Sequence, residues 1–318
     1  MSGEFAWLAD ASPVRGLGEA GLGEAALRFS VCVCTRNRPD ELHRCLSSIV
    51  DSGIRVQETI VSDDSDDGAD TQAVCAQFEN VRYLPGPRRG LCANRNNAVN
   101  EATGTHVLFL DDDARLSRGF FDAIAQRLGA QTPQMREVLI VTGRERRGER
   151  TTAARDQSFL GFQERPYRDG EPMKTVVINA TVFPLELFGR TGFDELLRYG
   201  YDEVDLTTRA AAMGFAIVAQ DDAVNDHYPS ETNRDEYRAV VDASRLYVTY
   251  KRYVVTDRRR WAALAFVAVA PLHLIAASVK ARGIAGFGTA IAALRMAYGH
   301  IRAGAGGATT PPPRLTRH

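Results

Sequence analysis

The segment Val107-Leu108-Phe109-Leu110-Asp111-Asp112-Asp113 passes from four apolar residues directly into three carboxylates. An apolar run this short, closed by acids, predicts a buried strand that emerges at a polar edge. The pattern recurs upstream. Phe29-Ser-Val-Cys-Val-Cys ends in Thr35-Arg36-Asn37-Arg38-Pro39, and Thr59-Ile60-Val61 is stopped by Asp63-Asp64-Ser65-Asp66-Asp67-Gly68. Residues 81–84 predict a further brief strand. Behind Pro39, a residue suited to a first helical turn, Leu42, Cys45, Leu46 and Ile49 recur at the spacing of one helix face. Residues 91–102 are helical in composition. Strands alternating with helices of about a dozen residues predict right-handed crossovers and an α/β fold with a mostly parallel sheet flanked by helices. Ligands of such sheets sit outside the carboxyl ends of the strands, so Thr35, Asp63 and Asp111 are expected on one rim.

Composition narrows the function classes. The 318 residues carry 39 Lys+Arg against 40 Asp+Glu, a net charge of -1. That balance excludes a nucleic-acid binder acting through bulk charge, and equally an acidic disordered tail protein. Aromatic residues at 8% argue against a sugar-binding surface built mainly from stacked rings. The five cysteines have no zinc-like pairing of spacings, and Cys32 and Cys34 alternate with valines, which predicts core packing. Residues 1–28 lack the basic start and apolar block of a secretory signal, so a reducing cytosol is the expected compartment.

The second half is less regular. Residues 144–172, rich in Arg, Glu and Gly, predict a long excursion. Residues 175–178 and 215–219 read as strands flanking a helix that begins near Asp202, and the polar run 221–227 ends on His227. Residues 233–250 predict a mostly solvated helix. Next come Arg258-Arg259-Arg260 and the stretch 261–279, apolar apart from His273 and Ser278 and interrupted by Pro271. A second patch, 284–298, contains Arg295. A helix pair in or on a membrane interface fits both patches, and so does a soluble hairpin capping the domain. The expected organisation is an extension over 1–28, a domain over 29–255, helices over 256–302 and a disordered tail over 303–318.

The acid clusters suggest chemistry. Asp111 and Asp113 alternate on one turn and can face the same way, and Mg²⁺ or Mn²⁺ carrying a diphosphate uses one or two carboxylates. A solvated acidic turn is the plainer alternative. Asp63 and Asp64 can accept hydrogen bonds from a base or ribose, while Arg38 and Arg95 can meet phosphates. In Gly200-Tyr201-Asp202-Glu203-Val204-Asp205-Leu206, acids at a helix start suit the helix dipole, with Asp202 as N-cap, or supply a general base. His227, taken alone, reads as structural.

Together these blocks carry a resemblance. Val-Cys-Thr-Arg-Asn-Arg-Pro (33–39), Ile-Val-Ser-Asp-Asp-Ser (60–65), Gly-Leu-Cys-Ala-Asn-Arg-Asn (90–96), Phe-Leu-Asp-Asp-Asp (109–113) and Gly-Phe-Asp-Glu (192–195), leading to Asp-Glu-Val-Asp-Leu (202–206), stand in the order of inverting family 2 nucleotide-sugar glycosyltransferases with the GT-A fold. The resemblance implies that Thr35 and Arg38 border the nucleotide, Asp63 recognises the base, Arg95 lies near the diphosphate and Asp112 near the ribose. It implies that Asp111 and Asp113 are the DxD pair, with Asp113 the direct ligand of Mn²⁺ or Mg²⁺, and that His227 completes the metal site. The family usually has Glu-Asp where this chain has Asp202-Glu203, so position favours Glu203 as base and residue type favours Asp202. The implied reaction moves a sugar from a nucleotide-diphosphate donor to a hydroxyl acceptor (glycan, lipid or small molecule). A silent nucleotide-sugar binder is the rival from another class. A nucleotidyltransferase would want a Gly- and Lys-rich loop where Thr35–Pro39 stands.

Overall fold

The structure, a computed structural model, describes residues 26–229 and 234–305. Nearly all of the expected N-terminal extension and most of the expected tail therefore lie outside the described residues. The first half alternates as its periodicity predicts: β1 (Phe29–Thr35), α1 (Pro39–Asp51), β2 (Glu58–Asp63), α2 (Ala69–Cys75), β3 (Val81–Pro85), α3 (Leu91–Val99) and β4 (His106–Asp111). The expected residues Leu42, Cys45, Leu46 and Ile49 are the buried face of α1. They pack on Val31 and Val33, while Cys32 points to the opposite layer with Ile60 and Phe109. Both faces of β1 are thus covered, which is why its sequence is almost continuously apolar. All five cysteines are buried.

β5 (Ala114–Arg115), α4 (Phe120–Gly129) and α5 (Pro133–Arg136) lead to the long β6 (Leu139–Arg147), whose end turns back as β7 (Arg150–Thr152). The excursion is ordered: β8 (Arg155–Gln157) and β9 (Gln163–Pro166) form a separate two-stranded sheet. Residues 175–178 are not a strand. Side chains there satisfy the backbone, with Thr175 N–H donating to the Tyr167 hydroxyl (3.1 Å) and Val177 N–H to Thr142 Oγ1 (3.2 Å). A 3-10 turn, Ile178–Ala180, then delivers the chain to β10 (Thr181–Pro184).

The remaining elements are α6 (Glu186–Arg190), α7 (Asp202–Ala212), β11 (Ala216–His227), α8 (Arg234–Lys251) and α9 (Arg260–Ala305). The sheet order is β3-β2-β1-β4-β10-β6-β11-β5, with β7 beside β6. β1, β2, β3 and β4 are parallel, β6 and β11 are parallel, and β10 runs antiparallel between β4 and β6. The polar run 221–227 is not a loop after a strand but the second part of β11, continued past a register shift between Ala219 and Val224. Nor is α8 mostly solvated: Ala243 and Leu246 are buried where α9 covers it, and Tyr247 and Val248 join the core layer of Phe109 and Phe193.

The shift in β11 depends on one glycine. A Cβ on Gly143 of β6 would lie 2.0 Å from the Ala223 carbonyl oxygen. Gly143→Ala is expected to lower stability by about 1–3 kcal/mol through overpacking, seen as an earlier urea midpoint.

Candidate active site

The three strand ends converge as expected. In register, Thr35 of β1 stands beside Asp63 of β2, and Cys34 beside Asp111 of β4. Thr35 Oγ1 donates to Asp112 Oδ2 at 2.8 Å. Arg38, entering α1, reaches Asp112 Oδ1 at 2.6 Å and Asp113 Oδ2 at 3.2 Å. Burial pushes the Asp112 carboxyl up to about 7, against the pull of Arg38 and the Thr35 hydrogen bond.

Asp63 and Asp64 are buried on the same rim. Asp63 Oδ1 accepts the Ser65 N–H (2.9 Å) and the Ser65 hydroxyl, and Tyr83 donates to Oδ2 at 3.3 Å. Asp64 Oδ1 accepts the Arg88 N–H at 2.8 Å. Gly86 makes this corner possible, since a Cβ there would lie 2.3 Å from Asp64 Oδ1.

Asp111 and Asp113 turn to different partners. Asp111 takes Arg95 Nη2 on Oδ1 (2.7 Å) and Asn179 Nδ2 on Oδ2 (3.2 Å). Asp113 turns the other way, its Oδ1 lying 3.2 Å from His227 Nε2. The short β5 is the reason His227 arrives there. Residues 114–115 pair antiparallel with the end of β11, His227 opposite Ala114, and Tyr228 N–H bonds Asp113 O at 2.8 Å. The other imidazole nitrogen, Nδ1, stands 2.8 Å from Glu145 Oε1. Burial would lower the His227 pKa, but the carboxylates of Asp113 and Glu145 beside it push it up to about 9. Asp113 and Glu145 are held low by His227 despite their own burial.

On the far side stands the start of α7. Asp202 is not its N-cap. That position belongs to Tyr201, at φ 62°, preceded by Gly200 at φ 77°, and no side chain caps the helix. Asp202 instead pairs with Arg95 Nη1. Arg95, 2% exposed, thereby bridges Asp111 and Asp202, with Phe193 beneath its guanidinium at 5.5 Å. Burial raises the Asp202 pKa and Arg95 opposes it. Glu203 points elsewhere: its Oε1 accepts from Gln163 Nε2 of β9 at 3.0 Å. Burial, then the neighbouring Asp202, push Glu203 up to about 7.

Two residues here escaped the sequence reading. Glu145 hides in the run Arg144-Glu145-Arg146-Arg147, although its alternation with Val141 and Gly143 along β6 places it on a definable face. Gln163 had no local signal, being one amide in a polar excursion. Asn179 sits under the acid turn, its Oδ1 accepting from Asp111 N–H at 2.8 Å and its Nδ2 donating to Glu145 Oε2 at 3.3 Å.

Among the described residues no three of His, Cys, Asp and Glu form a ready-made metal cage. The Asp113–His227 pair nonetheless fits a divalent ion. Two donors bound at about 2.1 Å in adjacent octahedral positions stand about 3 Å apart, close to the 3.2 Å between Asp113 Oδ1 and His227 Nε2. Glu145 on the second imidazole nitrogen is the outer carboxylate that metal-binding histidines commonly have.

Residues 30–196, more than half of the chain, match the sequence family Glycosyl transferase family 2. The chain is 34% identical over 110 residues to the GalNAc(5)-diNAcBac-PP-undecaprenol beta-1,3-glucosyltransferase of Campylobacter jejuni, a match covering 31% of this chain and 34% of that one. It thus spans about a third of the length of that curated relative. Its fold is similar to that of S. aureus TarS 1–349 in complex with UDP-GlcNAc (TM-score 0.56, 16% identity, 85% of this chain and 83% of that one). GalNAc-T7 with UDP, GalNAc and Mn²⁺ is also similar (TM-score 0.53, 13% identity, 77% and 54%).

The bridge gives the site its first test. Arg95→Met leaves Asp111 and Asp202 facing each other without the cation. The expected loss is about 3–5 kcal/mol in urea unfolding, the range for breaking a buried pair from one side.

Proposed function

The chain belongs to glycosyl transferase family 2 and has its GT-A fold, and on that premise we propose a metal-dependent inverting glycosyltransferase that moves a sugar from a nucleotide diphosphate to an acceptor hydroxyl. The observation that carries this reading is the Arg95 bridge. It sets the Thr35–Arg38–Asp112–Asp113–His227 cluster on one side of a cleft and the Asp202–Glu203 step on the other. The first side suits a donor and the second an acceptor.

Asp63 and Asp64 border the base and ribose, Asp112 lies by the ribose, and Arg38 and Arg95 face the diphosphate. Asp113 and His227, with Asp111 behind them, would hold Mn²⁺ or Mg²⁺, which neutralises charge on a departing diphosphate. Glu203 is the base. Asp202 is committed to Arg95, whereas among the described residues Glu203 Oε1 meets only the neutral amide of Gln163, which leaves this carboxylate to take the acceptor proton. As that proton leaves, the acceptor oxygen attacks the anomeric carbon from the face opposite the diphosphate. The anomeric carbon–oxygen bond breaks and its electron pair departs with the phosphate, through an oxocarbenium-like transition state. The UDP-GlcNAc complex of TarS makes a UDP-sugar the first donor to try, and the Campylobacter relative's name favours an undecaprenol-linked acceptor. With such an acceptor, the C-terminal helices hold the enzyme on the cytosolic face of a membrane, basic Arg258–Arg260 flanking the apolar stretch.

Two measurements test the assignment. By titration calorimetry, Glu145→Gln should weaken Mn²⁺ binding about 10–100-fold, and Asp113→Asn should remove Mn²⁺-dependent UDP-GlcNAc binding; wild-type affinity in Asp113→Asn rejects the metal site. Turnover should fall as pH drops through about 7, because the base must be ionised and the folded protein holds Glu203 protonated below that value. Glu203→Gln should lower kcat about 10²–10⁴-fold with donor affinity kept, and Asp202→Asn should cost less. If Asp202→Asn is the dead enzyme and Glu203→Gln the mild one, the base is Asp202.

A further inference from the structure

Among the described residues, Arg260–Gly304 is the one helix long and apolar enough to cross a membrane. Its shape argues against a simple crossing. At Gly283 the backbone leaves the helical region (φ 60°, ψ −139°), and a Cβ on Gly286 would lie 2.0 Å from the Ser278 carbonyl oxygen. The chain therefore doubles back as two arms, 260–282 and 284–305, each roughly 33 Å long at about 1.5 Å per residue. Phe266, Ala270 and Leu274 of the first arm pack with Ala290, Ala293 and Ala297 of the second, and with Ala243 and Leu246 of α8.

Among the described residues nothing covers the opposite face of the first arm. Trp261 (84% exposed), Leu264 (62%), Val267 (52%) and Leu272 (69%) face outward, and between 261 and 279 His273 is the sole exposed polar residue. A water-facing helix surface of this length carries charges. Here the charges stand at the ends, Arg258–Arg260 before the arm and Lys280 and Arg282 at its tip, all exposed. An apolar strip between cationic ends matches the interface of an anionic bilayer.

Orientation follows from α8. It runs along both arms and is fastened to the cleft, where Ser244 Oγ bonds Tyr199 O (2.9 Å) and Tyr247 bonds Asp194 Oδ2 (2.8 Å). α8 also carries the Arg245–Asp242 ion pair. A hairpin standing across the bilayer would draw these charges and the cleft wall toward hydrocarbon.

We propose that the 260–282 arm lies in the plane of an anionic membrane with its outward apolar face submerged, so that the hairpin rests on the bilayer without crossing it. This rests on the membrane attachment proposed above and fixes its geometry. It also sets the β8–β9 sheet, which holds Glu203 through Gln163, beside the lipid, since Phe162 meets His273 (5.8 Å) and Phe159 meets Phe266 (6.1 Å) on the same arm.

The chain has two tryptophans, so Trp7→Phe leaves Trp261 as a single reporter, and Trp7→Phe/Trp261→Phe/Leu272→Trp places one at mid-arm. Both full-length proteins are mixed with phosphatidylcholine–phosphatidylglycerol vesicles containing lipids brominated near the headgroup or deep in the chain. Flotation with the vesicles and stronger quenching by shallow bromines at both positions is the expected result. Flotation with Leu272→Trp quenched best by deep bromines overturns the in-plane geometry and leaves membrane attachment standing. A protein of native circular dichroism that fails to float overturns both. Equal flotation with pure phosphatidylcholine removes the anionic requirement and overturns that part of the proposal. Leu272→Glu, on an exposed position, should keep the fold and lose flotation.

Discussion

One guanidinium holds the two halves of the cleft at a fixed separation. Arg95 is almost fully buried, and its two terminal nitrogens go to carboxylates from opposite sides, Asp111 at the end of β4 and Asp202 at the start of α7. Among the described residues its Nε has no hydrogen-bond partner. Burying such a triad is poor value for stability alone, because desolvation offsets most of the attraction. What it supplies is position: a planar fork that accepts two carboxylates only in one relative placement. Asp202 can then not wander, and Glu203, next along the helix, inherits its direction from that constraint.

The acids of the turn and of β6 are arranged in the same manner, facing named basic side chains. Arg38 serves Asp112 and Asp113, and His227 stands between Asp113 and Glu145. The partners come from distant parts of the chain. Residues 29–111 form a nearly self-contained parallel unit, whereas Glu145, Asn179, Asp202 and His227 reach it only after β10 has reversed direction and β11 has paired with β5. The site is therefore assembled from both parts of the sheet, and a displacement of β11 would move His227 directly.

This division explains what could be read from the sequence. The strand ends at Thr35, Asp63 and Asp111, and the buried face of α1, follow from local periodicity and stop signals, which need no distant partner. The capping expectation for Asp202 fails because an acid at a helix start has an adequate local explanation, and nothing local announces an arginine 107 positions away in sequence. Residues 175–178 have strand composition, but hydroxyl groups of Tyr167 and Thr142 occupy the backbone donors that a neighbouring strand would need. Glu145 and Gln163 sit among so many polar residues that only the fold distinguishes them from solvated neighbours. The apolar stretches 261–279 and 284–298 were legible as a helix pair, and the backbone leaves the helical region at Gly283, between the two.

The burial of the cysteines reaches beyond packing. Desolvation raises the pKa of all five thiols, so almost none is thiolate at neutral pH. Cys34 lies on β1 beside the last residue of β4, within the sheet and immediately under the acid turn, yet no oxidant or alkylating reagent can reach it while the sheet is closed. The folded chain's thiols are accordingly poor targets for oxidants and alkylating reagents. Thiol labelling of the wild-type chain becomes a clock for opening of the sheet, with Cys32 and Cys34 reporting from its centre.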